Sequence, residues 1–112
     1  MGFKKRNIQS VNGEVVLDAV YGNTFYLELT ENITSITFKS WPSETITQRI
    51  VMYINNAQNK VIDINAWPDE LLWSGGELPV ITPNGIDCLV FETFDSGQTV
   101  FANIAGQGYT RP

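Results

Sequence analysis

The chain has 112 residues, 43% hydrophobic and 17% charged, with seven Lys or Arg against twelve Asp or Glu, no His and a single Cys. That is the length of one domain, enough to bury roughly 65% of its unfolded surface without a disulfide or a metal, and the lone Cys88 excludes an intramolecular bridge. The net charge of −5 disfavours a nucleic-acid partner, which needs clustered cations, and no run approaches the roughly 18 apolar residues of a membrane span.

The first segment, MGFKKRNIQS, is basic but has no apolar stretch after it, so no secretory signal is expected. Residues 1–12 read as a flexible basic arm, and residues 13–112 as a single domain. Lys4, Lys5 and Arg6 supply three of the seven cations; from Asn7 onward twelve acids face four bases (Lys39, Arg49, Lys60 and Arg111), a balance of −8. Phe3 and Ile8 are the only large apolar side chains of the segment's first ten residues after Met1. It is therefore expected to stand clear of the core and to bind a partner, with Lys4, Lys5 and Arg6 paired to carboxylates and Phe3 as a small apolar anchor.

Period-two alternation then runs along most of the chain. In Thr24-Phe25-Tyr26-Leu27-Glu28-Leu29-Thr30 every odd position is apolar, and residues 34–39 alternate with the opposite parity. This is the pattern of strands with one wet face. Strands are expected over 14–21, 24–30, 34–39, 45–55, 61–64, 86–94 and 98–104. Turn signals separate them: Asn12-Gly13, Gly22-Asn23, Glu31-Asn32, Asn55-Asn56, Asn84-Gly85 and Asp95-Ser96-Gly97. Asn32-Ile33-Thr34 matches a glycosylation sequon but reads more simply as part of such a turn. Ile46, Ile50, Ile54, Ala57 and Val61 also fit a helical stripe, yet the β-branched crowd from Thr45 to Ile54 favours a strand. The expected fold is all-β: an antiparallel β-sandwich, jelly-roll-like, of about eight strands.

Two of the three tryptophans stand in WPDELLWSGGELP (67–79), and a near-repeat links that stretch to the third. ITFKSWPSE (36–44) and IDINAWPDE (62–70) align without a gap, each running from a strand into Trp-Pro and an acid. Proline bars helix at the residue before it and has no N–H for a ladder. The pair therefore reads as one device, used twice, that turns the chain at a sheet edge and folds a tryptophan over the core. Trp67 and Trp73 are expected at one corner of that core.

Catalytic constellations are missing. Without histidine there is no Ser-His or Cys-His pair and no imidazole ligand. The carboxylates at Glu28, Glu31, Asp69, Glu77 and Asp95 fall in turns or on wet faces, so a paired-carboxylate glycosidase is not expected. Gly75-Gly76 is followed by Glu77, which would repel phosphate. Asp95-Ser-Gly-Gln98 lacks the second spaced acid of a calcium loop. No cofactor or metal is expected, and Cys88 reads as a small buried hydrophobe.

Residues 33–109 resemble a small β-rich module that recurs in tailed-bacteriophage virion proteins, at tail-fibre and tail-spike ends or as short accessory proteins. The resemblance rests on Gln58, Trp67-Pro68, Trp73, Gly75-Gly76, Pro79, the run 87–91, and Thr93, Asp95, Gly97 and Thr99. It departs after the final turn, where Val100-Phe101 stands in place of the usual tryptophan. The resemblance implies a non-enzymatic virion structural protein, a capsid decoration (cement) or tail-accessory subunit, made in the host cytoplasm and carried in the virion. Its partners would be other virion proteins and copies of itself, a trimer by preference. The alternative is a receptor- or glycan-binding tip, in which Trp41, Trp67, Trp73 or Tyr109 stacks on a sugar. The short stretch ahead of the first strand favours the structural subunit over a tip carried on a shaft. A bacterial carbohydrate-binding module is a third reading, disfavoured by the lack of a signal peptide.

Overall fold

A computed structural model describes residues 4–43 and 45–112; Phe3 of the expected arm and Glu44 of the first Trp-Pro segment lie outside the described residues. The described chain forms strands β1 (Arg6–Ile8), β2 (Glu14–Asp18), β3 (Thr24–Glu28), β4 (Ser35–Lys39), β5 (Gln48–Asn55), β6 (Leu71–Trp73), β7 (Ile86–Thr93) and β8 (Val100–Tyr109). Single 3-10 turns follow β2 and β6, at Ala19–Tyr21 and Ser74–Gly76. The all-β expectation holds, and among the described residues no helix is long and apolar enough to cross a membrane.

Alternation sets the core. Val15 and Leu17 of β2, Phe25 and Leu27 of β3, Ile36 and Phe38 of β4, Ile50, Met52 and Ile54 of β5, and Leu89 and Phe91 of β7 belong to one buried cluster. Each strand puts every second side chain into it, the period that a pleated backbone dictates. A six-stranded sheet in the order β1-β3-β5-β7-β8-β6 and a two-stranded sheet of β2 and β4 both contribute to this core.

The antiparallel expectation is corrected. Among the described strands, β1 pairs with β3, β3 with β5, β2 with β4 and β6 with β8 in parallel, while β5 with β7 and β7 with β8 run antiparallel. The cause lies in the connections. From β1 to β5 each successive strand joins the other sheet, so two reversals separate strands that become neighbours, and they meet in parallel. Asn12-Gly13 illustrates this. Val11 and Glu14 exchange both backbone hydrogen bonds, at 2.9 and 3.0 Å, as in a two-residue hairpin. Beyond that pair the two arms separate, one into each sheet.

Three further expectations change. Within the expected arm, Arg6–Ile8 forms an edge strand on β3, and Ile8 packs against the core. Residues 61–64 supply only a bridge between Ile62 and Ile33, although Ile62 itself is buried. β6 was not expected, because three residues before Ser-Gly-Gly carry too little alternation to register.

The tryptophans converge on Phe91. Trp67 is 6% exposed and meets Trp73 edge to face, with centroids 5.1 Å apart; both rings lie about 6 Å from Phe91, at 6.2 and 6.1 Å. Trp41 stacks on Phe38 at 5.3 Å, and Phe38 meets Phe91 at 5.0 Å. Trp67→Ala is therefore expected to lower the unfolding free energy by about 3–5 kcal/mol, the cost of deleting a large aromatic from a core. Urea denaturation followed by circular dichroism measures it, and a loss under 1 kcal/mol (roughly the effect of a surface change) would contradict the packing described.

Candidate functional site

Where the inner face of the six-stranded sheet meets the core, the outer face has no second layer among the described residues. Its side chains follow from the register. One row across the strands reads Arg49, Glu92, Phe101 and Leu72, and the next Thr24, Val51, Val90 and Asn103. A third reads Asn7, Tyr26, Tyr53, Cys88 and Gly106, and a fourth Glu28, Asn55, Ile86 and Tyr109. The face is largely uncharged, and its aromatics lie at its two ends.

At one end Phe94 and Phe101 touch, with centroids 5.4 Å apart, beside Leu72; all three are exposed. Arg49 Nη2 lies 3.0 Å from Glu92 Oε2 along the same row. Leu72, Phe101, Arg49, Glu92 and half-buried Trp73 border a depression of about 400 Å³.

The other end is floored by tyrosines. Tyr26, Tyr53 and Tyr109, with Lys5, Ile86 and Cys88, enclose a depression of about 480 Å³. Tyr26 is held by Asn55, whose Nδ2 donates to the phenol oxygen at 2.8 Å. Tyr109 lies over Gly106, where any Cβ would collide with its ring and hydroxyl. Two one-residue shifts in β8 set this placement. Ile86 pairs with Tyr109, Cys88 with Gly106 and Leu89 with Ile104, so β8 takes two more residues than β7 over that stretch. The shifts are clamped from the core side by Asp87, 1% exposed, whose two carboxylate oxygens accept from Gly108 N and Thr82 N, both at 2.8 Å. Burial pushes the Cys88 thiol above its ordinary 9.0, with the Tyr53 side chain pulling the other way. At neutral pH Cys88 is thus a neutral thiol and part of an apolar floor.

The sequence-predicted residues divide among three places. Lys5 Nζ sits 4.7 Å above the Tyr26 ring and Arg6 Cζ 4.3 Å above the Tyr21 ring, cation–π contacts within the chain itself. Lys4 is exposed, and Phe3 is outside the described residues. Trp41, Trp67 and Trp73 form the Phe91 cluster; Trp67 is buried there, while Trp41 and Trp73 are half-buried. Tyr109 stands apart from them, 57% exposed, with Tyr26 and Tyr53. Sequence reasoning did not place these last two. The signal was present in the polar parity of β3 and β5, where a tyrosine takes a position that alternation assigns to solvent. Among the described residues no three His, Cys, Asp or Glu side chains gather to hold a metal.

No protein-family model matches the chain, and neither a curated protein nor a solved structure does.

Three carboxylates staple turns around this framework. Asp95 Oδ1 accepts from Thr99 N at 2.9 Å, and the Thr93 hydroxyl lies 2.9 Å from the same oxygen; the Thr99 backbone bond is the main reason its carboxyl titrates below the ordinary 3.8. Glu31 is lowered first by the Ser10 hydroxyl and then by Gly13 N–H, and Asp18 first by the Ser40 side chain and then by Val20 N–H. A carboxyl depressed in the folded state contributes stability that is complete above its unfolded value and is lost as pH falls through the folded one. Thermal stability is expected to hold through mildly acid pH and to fall below the ordinary 3.8 of Asp and 4.5 of Glu. Asp95→Asn should flatten part of that acid slope. A melting series in pH on the two proteins checks this, and identical slopes would show that the Asp95 staple contributes nothing.

Proposed function

We propose that this chain is a non-enzymatic structural subunit of a tailed-bacteriophage virion, a decoration or tail-accessory protein, that works through protein–protein contacts made by the open face of its six-stranded sheet. The observation that carries the reading is the exposed cluster of Leu72, Phe94 and Phe101 beside the Arg49–Glu92 pair. A contiguous apolar patch of this kind marks an interaction surface on a soluble domain. Aromatic rings next to an arginine are also the side chains that dominate protein interfaces. The sequence resemblance in residues 33–109 supports the virion setting, and the two sheets sharing one core support the reading as two layers of a sandwich. The partner surface is a second copy of the chain or a neighbouring virion protein.

This placement moves the contact away from the basic arm. Lys5 and Arg6 are engaged on tyrosines of their own chain, so neither ammonium nor guanidinium is held out toward an acidic neighbour. Phe101→Asp puts a charge at the middle of the apolar cluster while leaving the inner face of β8 untouched. The variant is expected to keep its melting temperature and β-type circular dichroism and to lose self-association in sedimentation velocity, or co-sedimentation with the particle. Association unchanged from the parent protein would remove the sheet face from the mechanism.

A further inference from the structure

The tyrosine end of the sheet has a character that a protein–protein patch does not need. The depression lined by Tyr26, Tyr53, Tyr109 and Lys5 shares Ile86 and Tyr109 with a second hollow that reaches Asn84 and Arg111. In a chain of net charge −5, this double hollow has a cation at each end and no carboxylate in its lining. Glu28 is the acid of the same cross-strand row, set beyond Asn55 at its margin.

The floor is built for a flat, partly apolar ring. Tyr53 on β5 and Tyr109 on β8 are two strands apart, about 10 Å at the usual spacing of neighbouring strands. The strip between them is low: a cysteine, an isoleucine and the backbone of Gly106. Tyr53 is 36% exposed and Tyr109 57%, so both rings present area to a ligand. Tyrosine offers a rigid apolar body with a polar tip, which suits the mixed C–H and hydroxyl surface of a sugar. Asn84 is exposed at the far end and is held by its backbone, whose N–H donates to the Asn56 carbonyl at 3.0 Å.

We propose that this hollow binds an acidic sugar, a pyranose carrying a carboxylate, such as the uronate or sialate units of an anionic glycan. The ring stacks on Tyr53 and Tyr109, and its carboxylate pairs with Arg111. Arg111 forms a charge-assisted bond to the carboxylate, a stronger interaction than a neutral hydrogen bond. The inference is independent of the subunit-contact reading, because it uses the opposite end of the face from Leu72, Phe94 and Phe101.

The test is a set of NMR titrations of the whole chain with glucuronate, galacturonate and N-acetylneuraminate, beside glucose and galactose as neutral sugars and acetate as an anion without a ring. At least one acidic sugar is expected to shift the resonances of Tyr53, Tyr109 and Arg111, and to bind about tenfold more tightly than the neutral ones, as expected for a hydrogen bond to a charged group. Added salt should weaken it. Arg111→Gln should remove most of that tenfold preference, and Tyr109→Ala should weaken neutral and acidic sugars alike; both sites are exposed, so melting should stay unchanged. Phe101→Asp should leave sugar binding intact, which keeps this result separate from the assembly experiment. Three outcomes would overturn the proposal: no shift with any of the three acidic sugars at millimolar concentration, neutral sugars binding as tightly as acidic ones, or acetate reproducing the same shifts with the same affinity.

Discussion

The structure depends on one constraint: the chain changes sheet at each of its first four connections while continuing to bury alternate side chains. A hairpin lets a strand satisfy its backbone against its own predecessor. Here each strand from β3 to β5 must instead find a partner two strands back, and that partner runs parallel to it. Long-range pairing of this kind gives no local reward before both sheets are in place. What compensates is that the two sheets present one apolar inner surface to each other, with Phe25, Leu27, Ile36, Ile50, Met52 and Ile54 all fully enclosed or nearly so. Specificity for this route then rests on side-chain staples at the crossings. Glu31 binds both Ser10 and Gly13 N–H at the first of them, at 2.6 and 3.0 Å.

This explains which parts of the fold were legible in the sequence. Alternation is a property of a single strand, so β2, β3, β4, β5, β7 and β8 could be located from residues alone, with ends misplaced by a few positions. Which strand pairs with which is a property of the connections, and a turn such as Asn12-Gly13 has the same residues whether its arms stay together or part. The antiparallel expectation failed there. The tryptophan corner was legible because Trp-Pro leaves the chain few choices at a strand end. The tyrosine floor was not, since Tyr26, Tyr53 and Tyr109 are 27 and 56 residues apart in sequence. Only the register, including two shifts in β8, brings them together.

Glycine contributes to both aromatic regions by the same physical means. Gly97, at φ +82, sits under Trp41, where a Cβ would run into the indole; Gly106 does so under Tyr109. In each case the ring lies against backbone, and the missing side chain sets how close it comes. The consequences differ with location. Trp41 closes the aromatic cluster against the Asp95–Gly97 turn, whose Thr93 and Asp95 bonds hold that turn in place. Tyr109 is left with most of one side open, on a face without a second layer among the described residues.

That outer face exists only in one register of β7. Its partners β5 and β8 fix Val90 and Glu92 outward and Leu89, Phe91 and Thr93 inward. A slip by one residue would exchange these sets. Phe91 would leave Trp67 and Trp73, and Glu92 would enter the core without Arg49. The penalty at the Phe91 cluster therefore guards the arrangement of the opposite surface, including both depressions. Asp87 adds a second restraint at the other end of the strand. Its carboxylate is enclosed and held by two backbone donors, Thr82 N and Gly108 N, from different segments. Displacing it would strand a buried charge away from both, a cost far larger than that of shifting a neutral side chain. The residues that stabilise this small domain and those that give its outer face a shape are thus alternate members of one strand, and a change to either set is felt through the backbone they share.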